Sequence, residues 1–274
     1  MENPGAGFYQ QCCLYDDRDD VNHARGTGTD WRFQTCLELC RSGPDRKLLD
    51  IGCGDGEFLA LAQAKGFEVF GIDFDDRAVQ KARRVRQLEH VSTASSDSLK
   101  GIEGWREFGI ITLFDVLEHL SSPRHVIATV FELLKPGGMV CITVPRFDRY
   151  PRVFDSEADF PPHHLTLWTS RALSVLLQTT GFRDLRVIEK PLVLEDLWKQ
   201  FKWPALRVAR KLGARVADPC NGRSKPSSAK PSTAGFIKKS MRTSLGPANW
   251  VLKACSLGRG HTLLALGTKP HSAA

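Results

Sequence analysis

The segment Leu48-Leu49-Asp50-Ile51-Gly52-Cys53-Gly54-Asp55-Gly56 sets three glycines, spaced G-x-G-x-G, at the end of a short apolar run. Glycine lets a backbone turn tightly and lets a ligand approach without a Cβ in the way. A helix that follows such a loop points its unsatisfied N–H groups at whatever is bound. Taken alone, the loop is weak evidence, and a tight strand-to-helix turn with no ligand is the competing reading. Two further acids give it company. Asp73 ends a second apolar run about 20 residues on, where a carboxylate can accept both hydroxyl protons of an adenosine ribose. Ser96-Asp97 follows a third run, where a polar side chain can meet the adenine amino group. Three such stations on adjacent parallel strands mark the edge at which open α/β sheets bind ligands.

The glycine spacing narrows the ligand. A dinucleotide fingerprint reads G-x-G-x-x-G and seats a pyrophosphate. Here Asp50 precedes the glycines and Asp55 lies among them. Two carboxylates would repel a pyrophosphate and suit a ligand that carries an ammonium group and a sulfonium.

The pattern around the loop supplies the elements that position it. A helix is expected over Asp30–Arg41, with Trp31, Leu37 and Cys40 on one face. Strands are expected at Lys47–Ile51, Phe67–Ile72, His90–Ala94, Phe108–Leu113 and Met139–Val144, with helices at Glu57–Lys65, Asp75–Arg86 and Pro123–Leu134 between them. This alternation argues for a parallel sheet covered on both faces. An aromatic and charged loop, Arg146–Pro162, leads to a helix at Thr169–Thr180 closed by Gly181. A sixth strand is expected at Phe182–Glu189 and a seventh at His261–Thr268.

Together these segments resemble the class I S-adenosylmethionine-dependent methyltransferases. Leu-Leu-Asp-Ile-Gly-Cys-Gly-Asp-Gly is similar to their first motif. Phe114-Asp115-Val116-Leu117-Glu118-His119-Leu120 and Leu133-Leu134-Lys135-Pro136-Gly137-Gly138 resemble later ones. Pro161-Pro162-His163-His164-Leu165-Thr166, followed by a helix ending at Gly181-Phe182, resembles the subfamily that acts on small molecules and on glycan-cluster products. The resemblance covers residues 30–190 plus 261–268 and implies an α/β, Rossmann-like fold. Its seven-stranded sheet is mostly parallel, sits in a three-layer αβα arrangement, and has an antiparallel last strand inserted between strands five and six. It also implies S-adenosyl-L-methionine as cofactor, with Asp50, Gly52, Cys53, Gly54, Gly56, Asp73, Phe74, Asp97 and Phe114 around it. Gly52 and Gly54 would line the methionine part, Asp73 hold the ribose, Asp97 read the adenine and Phe114 line the pocket.

On the acceptor side, an oxygen or nitrogen nucleophile needs alignment and, in many cases, a base. His119, His163 and His164 are the candidates. His119 follows strand four, where the methyl group is expected; plain packing at a helix start is the competing role. His163 and His164 sit on a loop expected to cover the pocket. There one can meet an acceptor while the other caps a turn or packs on Trp168. Phe147 and Tyr150 are expected to shape the acceptor pocket. Asp115, Glu118 and His119 resemble the Glu-x-x-Glu-His set with which ubiquinone-pathway O-methyltransferases bind a divalent ion. Oxygen ligands of that kind suit Mg²⁺. Asp115 is one methylene shorter than the family's Glu, and no metal ligand is assigned from the sequence.

Bulk properties set limits. The 274 residues are 42% hydrophobic and 25% charged, enough to bury a sizeable core. No apolar run of about 18 residues is present, so no spanning helix is expected. No basic stretch followed by an apolar one opens the chain, so no secretory leader is expected. The eight cysteines form no C-x-x-C pair and no Cys/His set with zinc spacing; buried free thiols at Cys36 and Cys40 and a reducing cytoplasm fit them.

The net charge of +7 divides unevenly. Lys199–Arg259 holds fourteen Lys/Arg against the single acid Asp218, so the rest of the chain is acidic. The expected organisation is therefore an N-terminal arm over 1–29, the methyltransferase domain, and a basic helical insertion over 191–260 with a disordered linker at about 218–234. Trp198, Trp203 and Trp250 interleave with lysines and arginines in residues 192–257. That mixture suits a lid over the pocket, an anionic membrane surface or RNA phosphates. The expected partner is a small-molecule or lipid-linked acceptor, with a peripheral membrane contact ahead of nucleic acid. The competing functions are an RNA or protein methyltransferase docking through the insertion, and a non-catalytic cofactor-binding scaffold at a membrane.

Overall fold

A computed structural model of the chain describes residues 30–40, 45–101, 105–148, 161–191 and 259–271. The chain divides into two compact units: Met1–Phe147, Ala158–Ile188 and Thr262–Ala274 form the first, Asp148–Glu157 and Glu189–His261 the second. Every site residue discussed below lies in the first. The arm over 1–29, the linker at 218–234, Tyr150 and the amphipathic stretch 192–257 lie outside the described residues.

Among the described residues the first unit opens with helix α1 (Trp31–Leu39), whose first turn is capped by the Asp30 carboxylate accepting from the Arg32 amide at 2.9 Å. Then β1 (Lys47–Ile51), α2 (Glu57–Ala64), β2 (Glu68–Asp73), α3 (Asp76–Arg86), β3 (Val91–Thr93), β4 (Phe108–Phe114), α4 (Pro123–Leu133) and β5 (Leu134–Pro145) alternate. Helix α5 (Ser170–Thr180), β6 (Arg183–Pro191) and β7 (Arg259–Thr268) complete the order. The strands form one seven-stranded sheet in the order β3-β2-β1-β4-β5-β7-β6. Pairs β1–β2, β1–β4, β2–β3 and β4–β5 are parallel, and β5–β7 is antiparallel. The implied fold is thus the observed one, including the insertion of the last strand between β5 and β6.

Alternation along the strands makes the three layers. Leu49, Ile111, Ile142, Leu263 and Ala265 pack with Val126 and Ile127 of α4 and Leu173 and Leu177 of α5. Their sequence neighbours Leu48, Ile110, Cys141, Leu264 and Leu266 pack on the other face with Leu37 of α1, Phe58 and Leu59 of α2 and Val79 and Ala82 of α3. Successive side chains of a strand point to opposite faces, and both faces here are covered, so the strands read as continuous apolar runs. Cys36 and Cys40 are buried free thiols, as their helical spacing suggests.

Strand β5 starts at Leu134, earlier than expected, because Leu134 pairs with Phe108 across an irregularity in the ladder. The Pro136-Gly137-Gly138 segment stays in the sheet: the Gly137 amide donates to Lys269 O and the Lys269 amide to Gly138 O, both at 2.8 Å. The strand order reverses between β1 and β4. That is the switch point at which the carboxyl ends of neighbouring strands splay and leave a crevice.

Candidate active site at the switch point

The glycine loop leaves β1 tied to β2, since the Gly52 and Cys53 amides both donate to Ile72 O, at 2.8 and 2.9 Å. Gly52, Gly54 and Gly56 all have positive φ (77°, 53° and 79°), but they serve different ends. A Cβ on Gly52 would stand 2.4 Å from Val116 Cγ2, and one on Gly56 would stand 2.4 Å from Leu88 Cδ1 and 3.1 Å from Ala82 Cβ. Those two glycines permit close packing. Around Gly54 a Cβ would meet nothing within 4 Å, so its left-handed turn faces open space. Gly54 is where a ligand can lie against bare backbone. Cys53 is a core residue: its side chain sits against Leu59 and Gly71, and burial first, then the charge of Asp50, pushes its thiol up. Any part it takes in binding is through its backbone.

Two buried carboxylates border this turn. Asp73 is 8% exposed; one oxygen accepts from the Gly54 amide at 2.8 Å and the other from the Asp75 amide at 2.9 Å. Burial still raises its pKa, against those two bonds. Each carboxylate oxygen has a second lone pair, so the side chain braces the loop and retains capacity for ribose hydroxyls. Asp50 is 2% exposed and accepts from Thr112 Oγ1 at 2.6 Å. Burial, together with the charge of Asp73 and against the Thr112 bond, pushes it up to about 7. Acids this close, and this hard to ionise, create a strong local demand for positive charge. A sulfonium and an ammonium meet that demand. The open Gly54 turn, the acceptor capacity of Asp73 and the cation demand at Asp50 all fit S-adenosylmethionine. The other loop acid is differently placed. Asp55 pairs with Lys81 (3.3 Å) and Arg86 (3.4 Å) and turns toward α3, so its charge is committed to basic side chains of that helix.

Phe74, 37% exposed, follows Asp73 directly after β2. Phe114 ends β4. Its ring meets Phe58 at 4.7 Å and Phe33 at 5.0 Å, both edge to face, and so joins β4, α2 and α1. Of Asp97 only the backbone is described; it lies in a 3₁₀ turn, Ser96–Gly101, after β3, where the sequence places it.

The sequence reading missed Arg32. Its guanidinium pairs with Asp30 at 2.7 Å and with Asp115, which reaches across from the end of β4. Burial would lower its pKa, but these two acids reverse that and hold it firmly charged. Asp115 itself takes φ 55° and holds Thr143: Thr143 Oγ1 donates to it at 3.0 Å, and its amide donates back to Thr143. A non-glycine residue in this region is uncommon, and such strain concentrates at functional sites. A basic residue two positions after a capping Asp, ahead of the first strand, was the available signal. It carries no information about its distant partner.

On the acceptor side, β4 continues into a 3₁₀ turn, Leu117–His119. The following loop is pinned to this turn: the Leu165 and Thr166 amides donate to Glu118 O at 2.8 and 3.1 Å. That brings His119 and His164 together, with ring centroids 4.9 Å apart. His163 contributes its carbonyl, 2.6 Å from His119 Nδ1. The Glu118 side chain is buried, and neither of its oxygens meets a hydrogen-bond donor among the described residues. The set suggested by resemblance, Asp115 with Glu118 and His119, is not assembled, because Asp115 is committed to Arg32 and Thr143. Instead Glu118, His119 and His164 place one ligand-capable atom each within 4.8 Å of one another.

A doubly wound sheet of this order, with a glycine loop braced by a buried acid at its switch point, is the architecture of the class I S-adenosylmethionine-dependent methyltransferases. A family model described as a methyltransferase domain matches residues 31–187, and the chain belongs to that family. It is 32% identical over 100 residues to a ubiquinone biosynthesis O-methyltransferase of Thiobacillus denitrificans, covering 35% of this chain and 42% of that one. It is 25% identical over 184 residues to a tRNA U34 carboxymethyltransferase of Idiomarina loihiensis, covering 64% of this chain and 57% of that one. The chain thus matches only about half the length of these curated relatives. A S-adenosylmethionine-dependent methyltransferase from Archaeoglobus fulgidus has the same fold, with a TM-score of 0.54 and 17% identity, over 87% of this chain and 92% of that one.

Proposed function

We propose that this chain transfers a methyl group from S-adenosylmethionine to a hydroxyl oxygen of a small-molecule or lipid-linked acceptor. The observation that carries this reading is the pairing of the open Gly54–Asp73 cradle on one side of the β4 end with the Glu118–His119–His164 cluster on the other. The O-methyltransferase names of several relatives support oxygen over nitrogen.

Bound at this site, S-adenosylmethionine supplies a methyl group already activated by its sulfonium. The remaining work falls to the chain. Asp73 accepts the ribose hydroxyl protons, Asp97 reads the adenine amino group and Phe74 covers its face. Asp50 offers negative charge to the cationic centre, and Arg32 offers a fixed positive charge to the methionine carboxylate. Bare backbone at Gly54 lets the ligand lie close to β1, and the packing permitted by Gly52 and Gly56 holds the loop, with Cys53, in that shape. Phe114 walls the reacting end and helps to exclude water. An acceptor hydroxyl held in line with that methyl group would receive it, with S-adenosylhomocysteine as the other product. The hydroxyl proton leaves to the cluster formed by Glu118, His119 and His164, with His163 holding His119 in place. Alignment supplies most of the acceleration expected of such a site.

The test is production of S-adenosylhomocysteine by the full chain with a panel of phenolic hydroxyl acceptors and primary amines of matched size. Turnover with phenols and none above background with amines is expected; turnover confined to amines, or to neither class, would contradict the proposal.

A further inference from the structure

Arg32, Cys36 and Cys40 follow one another at four-residue intervals along α1 and its C-cap. Residues so spaced share a helix face. At one end of this stripe Arg32 pairs with Asp115, and beside it Phe33 meets Phe58 and Phe114. At the other end the Cys36 and Cys40 sulfurs stand 3.9 Å apart, and both side chains are buried. Cys36 also hydrogen-bonds with Cys141 of β5, so three thiols run from α1 into the sheet. Methyl transfer at the switch point uses none of these sulfurs. We propose that Cys36 and Cys40 form a reversible dithiol–disulfide site whose oxidation withdraws α1 from the bound cofactor. The effect on binding rests on the reading of Arg32 as partner of the methionine carboxylate; formation of the disulfide does not.

Geometry selects this pair. Cysteines one helical turn apart have Cα atoms roughly 6 Å apart, within the ~4.4–6.8 Å that a disulfide spans. Their Cβ atoms, at roughly 5–6 Å, stand wider than the ~3.5–4.5 Å the bond prefers. Closing the bond therefore tightens the end of α1. The Cys40 amide donates to Cys36 O at 2.9 Å, so the last helical hydrogen bond lies within the stretch that is pulled in.

Cys141 is the rival partner. It is fixed in β5 between Thr112 of β4 and Leu266 of β7, so a bond to it needs α1 seated. Seated, Cys36 is 0% and Cys40 1% exposed. The hydrogen bond with Cys141, and burial, push the Cys36 thiol up; the hydrogen bond with Cys36, and burial, do the same to Cys40. The thiolate is the nucleophile, so the seated helix shields both sulfurs. Lifting α1 parts Cys36 from Cys141 but keeps Cys36 and Cys40 one turn apart. The lifted helix is the form that oxidises, and its product is the Cys36–Cys40 disulfide.

The oxidant is a hydroperoxide, with hydrogen peroxide as the simplest case. The Cys40 sulfur attacks one peroxide oxygen, the O–O bond breaks, and water leaves a sulfenic acid behind. The Cys36 sulfur then attacks that sulfur; the S–S bond forms and the hydroxyl leaves as water with the Cys36 proton. Two thiols lose two electrons and two protons, and one hydrogen peroxide becomes two waters. The new S–S bond of about 2.0 Å replaces the seated 3.9 Å separation, so the pair no longer fills the space among Leu37, Leu48 and Leu264. The helix cannot reseat, and Arg32 and Phe33 lose Asp115 and Phe114.

The experiment treats the reduced full chain with hydrogen peroxide, with and without saturating S-adenosylmethionine, then alkylates the remaining thiols and digests with trypsin. Cleavage after Arg32 and Arg41 leaves both cysteines on one peptide, residues 33–41. Mass spectrometry is expected to find that peptide unalkylated and lighter by two hydrogens as the main product at Cys36. Saturating S-adenosylmethionine is expected to slow its appearance at least tenfold. By calorimetry the oxidised chain is expected to bind S-adenosylmethionine at least tenfold more weakly and to recover on reduction with dithiothreitol. Cys40→Ser and Cys40→Ala are each expected to hold their affinity within threefold through the same treatment. The proposal is overturned by absence of the 33–41 disulfide, by a Cys36–Cys141 cross-link as main product, or by equal rates with and without S-adenosylmethionine. It is also overturned by unchanged affinity in the oxidised chain, or by a loss that persists in both Cys40 variants. A reduced chain that fails to bind S-adenosylmethionine removes the functional reading instead, and the peptide still decides the disulfide.

Discussion

At the residue scale the site is a contest between burial and charge. Asp50 titrates near 7 because ionising it in the core beside Asp73 is costly. The folded pKa lies above the unfolded one, so the folded chain holds an extra proton between about pH 4 and 7, and Asp50 lowers stability as pH rises through that window. A cationic ligand reverses the penalty by favouring the ionised acid. S-adenosylmethionine affinity, read by calorimetry, is therefore expected to fall by up to about tenfold per pH unit below pH 7 and to level off above it. Asp50→Asn should flatten that slope, leaving what Asp73 contributes; an unchanged slope would remove Asp50 from the cofactor site. The glycines give a second pair of outcomes. Gly54→Ala carries a left-handed backbone cost of about 1–2 kcal/mol but meets no neighbour, and should weaken S-adenosylmethionine at least tenfold, about 1.4 kcal/mol, by filling the one open turn of the loop. Gly56→Ala should carry the same backbone cost and destabilise the chain further by overpacking against Leu88 and Ala82. Equal effects of the two in both assays would mean that the loop glycines are interchangeable.

At the element scale, the 3₁₀ turn after β4 holds the loop that carries His163 and His164. Two amides bond Glu118 O, Thr166 Oγ1 donates to Leu117 O at 3.3 Å, and Trp168 Nε1 donates to Thr166 Oγ1 at 2.9 Å. Thr166→Val removes the hydroxyl at nearly constant volume and leaves the indole N–H without its acceptor, at a cost of about 1–3 kcal/mol. Steady-state kinetics should show a raised KM for the acceptor with S-adenosylmethionine affinity unchanged; a loss confined to the cofactor would place this loop elsewhere in the mechanism. These elements were legible in the sequence to different depths. Runs such as Lys47–Ile51 and Phe108–Phe114 announce buried parallel strands, and Asp73 is found by its distance from the glycines. Spacing cannot show that Asp55 turns to Lys81 and Arg86, because those partners lie on another helix. Nor can it show that Asp115 belongs to Arg32, 83 residues away. Both are contacts made only when the sheet assembles. The early start of β5 was hidden for a similar reason, since Pro136-Gly137-Gly138 carries turn chemistry that pairing with β7 overrides.

At the scale of the whole molecule, an acidic body and a basic stretch share one chain: fourteen Lys/Arg and one acid between Lys199 and Arg259. Among the described residues no helix is long and apolar enough to cross a membrane. If the basic stretch serves a lipid-linked acceptor, flotation with vesicles containing anionic lipid should retain the full chain at low salt and release it when residues 192–257 are deleted. Equal retention on neutral vesicles, or retention by RNA alone, would favour one of the competing roles. None of this matters unless the switch-point crevice holds its ligand, so calorimetric titration of S-adenosylmethionine into the full chain and into Asp73→Asn tests the account most directly. One equivalent is expected to bind the native chain, with affinity falling about ten- to a hundredfold in the variant, the scale of a lost hydrogen bond to a charged group. Absence of binding at millimolar S-adenosylmethionine, or equal affinity in Asp73→Asn, would contradict it.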